Sequence, residues 1–184
     1  MKIFALAFLL AIAAGAGSVS AQDTNNLNTL LGQFENKTNV MVIKGFADVG
    51  TIPLGQSEVR VRTRESQNVA TGEKMYGLVV DWVHDGVHRR LLVDEDELDG
   101  LINAVNYLVS VDYNVTKQPG FEGNFRTRSG LQAIAHSERK EAAVLLFLQF
   151  DDALRVSMTS VQMQSFSKLL QQGRKNLETL KSGK

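Results

Sequence analysis

The stretch VVDWVHDGVHRRLLV, residues 79–93, decides how this chain folds. Apolar and β-branched residues stand on both sides of the dipeptide Asp85-Gly86, which is a strong short-range signal for a two-residue hairpin. Both positions of a type I′ turn need a positive φ, and Asp and Gly tolerate it. The pattern therefore predicts two antiparallel strands, in a register that pairs Asp81 with Arg90.

This hairpin register also separates the two histidines of the stretch. Because side chains alternate faces along a strand, His84 shares a face with Trp82, whereas His88 lies on the opposite face with Val83 and Asp81. The imidazoles therefore do not meet on one ion, and no metal site is predicted. Asp81 and His88 share a face, which leaves a local acid–base pair open as a catalytic hypothesis.

Strand-like and helix-like segments occur twice in the same order. The first half carries four β-type segments and then a helical pattern, NVMVIKGFADVG, SEVRVRTRE, KMYGLVVDWVH, VHRRLLVD and DEDELDGLINAVNYLVS. The second half follows with FEGNFRTR, LQAIAHS, AAVLLFLQF, ALRVSM and a helix from about Ser160. Capping boxes begin both helices, at Asp94 with Glu97 and at Thr159 with Gln162. These patterns predict an α+β fold of tandem duplicated ββββα units, whose antiparallel sheets are each backed by a helix.

Two alignments of the halves compete. A shift of 65 residues places Asp94 on Thr159 and keeps apolar on apolar, including Trp82 on Phe147. Aligning the two RTR triplets instead, at 62–64 and 126–128, gives a shift of 64 and leaves LQAIAHS without a counterpart. Only one of the two alignments can be right.

The N-terminus has the features of an export signal. Lys2 precedes an apolar run, and the small residues Val19 and Ala21 fit a cleavage site after Ala21. We therefore expect a signal peptide over 1–21 and a secreted or periplasmic mature chain without a transmembrane segment. Cysteine is absent, so an exported fold depends on its apolar core. The expected division of the mature chain is an N-terminal helix and linker over 22–38, a first repeat over 39–117 and a second repeat over 118–184.

The N-terminal helix is predicted by DTNNLNTLLGQFE, in which apolar residues recur at helical spacing. Those residues form a narrow stripe, Leu27, Leu30, Leu31 and Phe34. A stripe of this width predicts a short helix that caps a larger core.

One strand presents a row of arginines. Arg60, Arg62 and Arg64 alternate with smaller residues and so lie on one face, and Arg126 and Arg128 are candidates for repeating the arrangement. Two interpretations stay open. The arginines either pair with nearby glutamates on a solvated face, or they form a surface that binds an anionic ligand.

Motifs of common enzyme and cofactor sites do not match. The chain has no cysteine and no Gly-x-Ser-x-Gly elbow, and its glycine-containing stretches lack the lysine of a phosphate-binding loop. The acidic run DEDELDG, residues 94–100, fails the EF-hand pattern because its fifth position is Leu98 and its sixth is Asp99. The sequence therefore predicts no catalytic residues of a known motif, no cofactor and no metal ion.

The tandem order of four strands and a helix resembles, in topology only, the Whirly and PUR group of single-stranded nucleic-acid binders. Binding of that kind needs basic grooves with exposed aromatic rings. This chain carries 20 basic and 20 acidic residues and 7% aromatic residues, which argues against a nucleic-acid partner. The first hypothesis is an exported, non-enzymatic binding or structural module whose partner is an unknown protein or a second copy. The alternatives are an anion binder that uses the arginines, and a hydrolase with an Asp81 and His88 site.

Overall fold

A computed structural model describes residues 24–138 and 143–183. The expected signal peptide lies outside the described residues. A 3-10 turn over Thr24–Asn28 leads into α1, Leu30–Glu35. The first unit contains β1 (Val42–Leu54), β2 (Ser57–Asn68), β3 (Lys74–His84), β4 (Val87–Asp94) and α2 (Leu98–Ser110). The second unit contains β5 (Gly120–Arg126), β6 (Gln132–Glu138), β7 (Leu145–Gln149), β8 (Arg155–Met158) and α3 (Ser160–Ser182).

The strands form two four-stranded antiparallel sheets, each in sequential order. We call β1 to β4 the first sheet and β5 to β8 the second sheet. The α+β class with duplicated units is therefore confirmed. The predicted hairpin is also confirmed, since Asp81 pairs with Arg90 and the turn residues Asp85 and Gly86 have φ of 46° and 77°.

Each long helix packs on the sheet of the other unit. Helix α2 contacts β5 and β6, and α3 contacts β1, β2 and β3. Small residues allow these approaches, because Gly173 of α3 lies against Leu78 and Gly100 of α2 lies against Phe125. One continuous apolar core results, and it includes buried residues of both sheets and both helices. The two units consequently depend on each other for the burial of their apolar faces.

Both predicted capping boxes are present: the Thr159 box begins α3, and the Asp94 box begins a 3-10 turn over Glu95–Glu97 that leads directly into α2. Each box satisfies backbone N–H groups that have no partner inside the helix. Glu97 accepts from the backbone N–H of Asp94 at 3.3 Å, and Gln162 accepts from that of Thr159 at 2.9 Å. Within the described residues, no helix is long and apolar enough to cross a membrane.

Helix α1 covers part of the outer face of the first sheet, the face turned away from α3. Leu31 packs there with Val79 and Leu92 in a small separate cluster. The predicted four-residue stripe is only half right, since Leu31 and Phe34 are buried and Leu27 and Leu30 are exposed. The narrow contact fits a helix of only six residues.

Of the two alignments of the sequence halves, the shift of 65 is right in part and the alignment of the RTR triplets is wrong. The shift of 65 is right for the helix starts, because Asp94 and Thr159 both cap a helix. It is wrong for β3 and β7, because Trp82 packs on the core whereas Phe147 pairs with Ile134 on the outer face of the second sheet. The RTR alignment is wrong: LQAIAHS contains β6, the second strand of its sheet, so it is the counterpart of β2.

Candidate functional site

The arginine strand is β2, and two of its arginines are bound to carboxylates of neighbouring elements. Asp81 of β3 is 1% exposed. One of its carboxylate oxygens accepts from Arg62, and the other accepts from Nε of Arg90 at 2.7 Å. A carboxylate this buried needs partners of opposite charge, and two guanidinium groups contact it, which is a structural use of arginine. The predicted Asp81–Arg90 pair is present, with Arg62 as a further partner.

Arg64 lies under the end of α1. Its Nε is 3.7 Å from Glu35, a carboxylate that also binds Lys44 of β1 at 2.7 Å and Ser66 of β2 at 2.6 Å. Burial lowers the pKa of the Arg64 guanidinium, partly offset by the nearby Glu35. Arg60 pairs with Glu58 on its own strand. The predicted arginine row therefore exists, and each of its members has an acidic partner.

The ring of Phe46 on β1 completes this outer face. The guanidinium carbons of Arg62 and Arg64 lie 5.5 Å and 5.9 Å from the ring centroid, within range of a cation–π contact. The Nε atoms of both arginines are buried without a hydrogen-bond partner. The stacking of the two guanidiniums on one ring orients the ring, which nevertheless remains 65% exposed.

Arg126 and Arg128 do not repeat this arrangement. Arg126 ends β5 and is exposed, and Arg128 lies in the loop that follows. Arg128 binds the start of α2 in the first unit: its guanidinium donates to Asp94 at 2.9 Å and to both carboxylate oxygens of Asp96 at 2.7 Å. Its backbone N–H donates to Glu97 at 2.7 Å. The structure thus separates the two predicted arginine groups and gives Arg128 a role in joining the units.

Asp94 is the centre of this junction. It is 2% exposed, and its carboxylate also accepts from the backbone N–H groups of Leu30 and Leu31 at 2.8 Å and 2.9 Å. These two donors belong to the first turn of α1, where a carboxylate is favourable. One side chain therefore ties α1, the end of β4 and the second unit together.

The junction changes the pKa values of its acidic groups in opposite directions. Hydrogen bonds from Arg128 lower the pKa of Asp96 below its usual value. Burial raises the pKa of Glu97, because the charged carboxylate is removed from water. The carboxylates, Asp96 above all, in turn raise the pKa of Arg128.

The histidines lie where the hairpin register placed them. Ring stacking joins His84 to Trp82, with centroids 5.6 Å apart. His88 is exposed near the hairpin turn, opposite Val83. The carboxylate of Asp81 is occupied by arginines, so the acid–base hypothesis for Asp81 and His88 gains no support from this arrangement. Among residues 24–138 and 143–183, no group of three or more potential ligands is placed to hold a metal ion.

The outer edge of β1 is the surface that sequence reasoning did not identify. β1 is the first strand of its sheet, and no strand of the described chain pairs with its outer side. The opposite edge of the sheet is partly covered, since the side chain of Asn26 bonds both the carbonyl of Arg90 and the N–H of Leu92. The sequence predicted β1 as a strand, but only the topology shows that it is an edge.

Only half of this edge is open. The C-terminal half of β1, from Gly50 onwards, is covered by α3. Leu169 of α3 lies against Gly50, and Gln162 donates to the carbonyl of Pro53 at 3.0 Å. A β-bulge after Asp48 separates the two halves. We call Val42–Asp48 the free edge.

Apolar side chains surround the free edge. Ile43 is 59% exposed, and Phe46, Met41 and Leu180 at the end of α3 are also exposed. A shallow cleft of about 240 Å³ lies between β1 and the end of α3, lined by Gly45, Phe46, Ala47, Thr63, Glu65 and Leu180. Unpaired backbone groups beside exposed apolar side chains are the features that attract another strand.

No protein-family model matches this sequence, and no curated protein matches it.

Proposed function

We propose that the mature chain is an exported, non-enzymatic binding module that accepts a strand of its partner at the free edge of β1. The observation that carries this proposal is the free edge itself, the side of β1 that no described strand pairs with, where the side chains of Ile43 and Phe46 are exposed. Strand addition gives affinity through main-chain hydrogen bonds, and side-chain pockets beside the edge give specificity. The cleft between β1 and Leu180 suits an apolar side chain of the added strand.

Two further features support a binding role over a chemical one. The acidic groups proposed for chemistry or ion binding are engaged elsewhere: Asp81 holds arginines, and Asp94 holds α1 and Arg128. The N-terminal sequence over 1–21 supports export, where the chain would meet its partner outside the cytoplasm.

The experiment is site-specific photo-crosslinking in the producing cell. A benzophenone amino acid replaces Ile43 in one variant and Val161 in a control variant, a position on α3 that is 71% exposed and remote from the free edge. Tandem mass spectrometry then locates the attachment site. We expect Ile43 to yield an adduct with an extended segment of a second polypeptide chain, and Val161 to yield none.

Equal adducts at both positions, or none at Ile43, would show that the free edge has no specific occupant. The proposed function would then fail.

A further inference from the structure

We propose that the strand accepted by the free edge is β1 of a second copy, paired antiparallel about a two-fold axis beside Phe46. This inference rests on the proposed strand-accepting function and names its partner. A two-fold axis through one residue places Phe46 opposite the same residue of the second copy, because antiparallel symmetric pairing is self-complementary. Such pairing is favourable only if the residues before Phe46 in one copy complement the residues after Phe46 in the other copy.

The charges around Phe46 are complementary under this symmetry. Lys44 stands two residues before Phe46 and Asp48 stands two residues after it. Both lie on the same outer face, since their partners on β2 are Ser66 and Arg62. Lys44 of each copy therefore lies opposite Asp48 of the other, which gives two cross-strand pairs of opposite charge.

The remaining positions also fit. Gly45 lies opposite Ala47 of the second copy on the inner face, so only small side chains meet beside the cleft. Ile43 and Leu180 of both copies border these small residues and bury exposed apolar surface as the strands pair. The two Phe46 rings meet at the axis on the outer face, where Arg62 and Arg64 already orient them.

The open half of the edge has the length that this register needs. Pairing from Lys44 to Asp48 is centred on Phe46 and ends where the bulge begins. The existing bond of Lys44 to Glu35 does not block it, because an ammonium group has three donors and can bind two carboxylates. The product is one continuous eight-stranded sheet made from two four-stranded first sheets.

The experiment is sedimentation velocity of the mature chain and two charge variants, Lys44→Asp and Asp48→Lys. We expect the native chain to form a dimer. Each variant alone places like charges opposite each other twice, which we expect to weaken dimerisation at least about tenfold. An equimolar mixture places both aspartates of one variant opposite both lysines of the other, so we expect a heterodimer to form.

The mixture distinguishes a loss of the contact between copies from a disturbed fold of the single chain. Lys44→Asp also disturbs the contact with Glu35, but that disturbance persists in the mixture, so recovery of the dimer reports the contact between copies. Asp152→Lys makes the same charge change as Asp48→Lys, at an exposed site in the loop between β7 and β8, and we expect it to leave the dimer intact.

Three outcomes would overturn the inference. They are a native chain that stays monomeric, a dimer that Lys44→Asp leaves unchanged, and two variants that stay monomeric when mixed. A monomeric native chain whose Ile43 still crosslinks to a different protein would remove the second copy as partner and leave the proposed function standing.

Discussion

The guanidinium of Arg128 lies 2.9 Å from the buried carboxylate of Asp94, across the boundary between the two units. Asp94 ends β4, begins the capped turn before α2 and accepts the first N–H groups of α1. The contact therefore links the loop after β5 to three elements at once. The packing of α2 on the second sheet and of α3 on the first sheet has the same effect. Both the Arg128–Asp94 contact and this helix packing join the two units.

Replacing Arg128 with Ala should lower the free energy of unfolding by about 1–3 kcal/mol, because a buried carboxylate loses a charged partner. The loss is smaller than for a fully buried pair, since the Arg128 side chain is 39% exposed and Asp94 keeps two backbone donors. Urea unfolding followed by circular dichroism measures it. Arg126→Ala, an exposed arginine two residues away, should change stability by less than about 0.5 kcal/mol. Equal effects of the two changes would contradict the role of Arg128.

Asp96 gives the junction a defined pH dependence. Hydrogen bonds from Arg128 lower its pKa in the folded state below the ordinary value of 3.8, so its stabilisation is present above that value and is lost as pH falls through the lower folded-state pKa. Asp96→Asn should therefore be less stable than the native chain near neutral pH, by about 0.5 kcal/mol because the site is partly screened by solvent. Denaturant titrations at several pH values should show this difference vanishing in acid. A difference that grows in acid would contradict this sign.

The elements encoded by short-range patterns could be predicted from the sequence. Asp85-Gly86 determined the hairpin because its positive φ values are a local requirement, and the register followed from it. The two capping boxes located the starts of the long helices for the same reason, since each box spans only four residues.

Contacts between residues far apart in the sequence could not be predicted from local patterns. Both sheets have apolar inner faces, so the local sequence pattern of α3 does not indicate which of the two sheets it covers. In the structure α3 packs on the first sheet. The RTR triplet at 126–128 suggested that Arg128 belongs to a second arginine row. Its actual partner, Asp94, is distant in the sequence, so the triplet could not indicate this contact. The free edge was missed since the sequence of β1 does not show which strands lie beside it.

Arg62 tests whether the arginine strand is structural. Arg62→Ala should cost about 2–4 kcal/mol of unfolding free energy, because Asp81 is 1% exposed and keeps only Arg90 as a guanidinium partner. In an Asp81→Asn background the same change should cost less, since no buried charge is left unpaired. Chemical denaturation of the four proteins in this cycle measures the coupling. Equal costs in both backgrounds would mean that Arg62 does not stabilise Asp81.

The anion-binding alternative makes a different prediction for the same strand. We expect the joint change of Arg60, Arg62 and Arg64 to Ala to leave retention on immobilised heparin unchanged, because Glu58, Asp81 and Glu35 already bind these guanidiniums and keep them from contacting sulfate groups. Circular dichroism at low temperature checks that the variant is folded before the column is run. A clear fall in the salt concentration needed for elution would instead favour an anionic ligand on this face.

Gly173 tests the packing of α3 on the first sheet. A Cβ atom at this position would lie 2.8 Å and 2.9 Å from the methyl carbons of Leu78, a fully buried core residue of β3. Gly173→Ala gains about 1 kcal/mol of helix propensity, but the overpacked core costs about 1–3 kcal/mol, so a net loss of stability is expected. Thermal unfolding should show a lower midpoint for this variant than for Lys168→Ala, an exposed position on the same helix. Shortening the opposing side chain with Leu78→Val should reduce the cost of Gly173→Ala, because the added methyl then has room. A Gly173→Ala chain more stable than the native one, with no dependence on Leu78, would show that α3 does not press on β3 at this point.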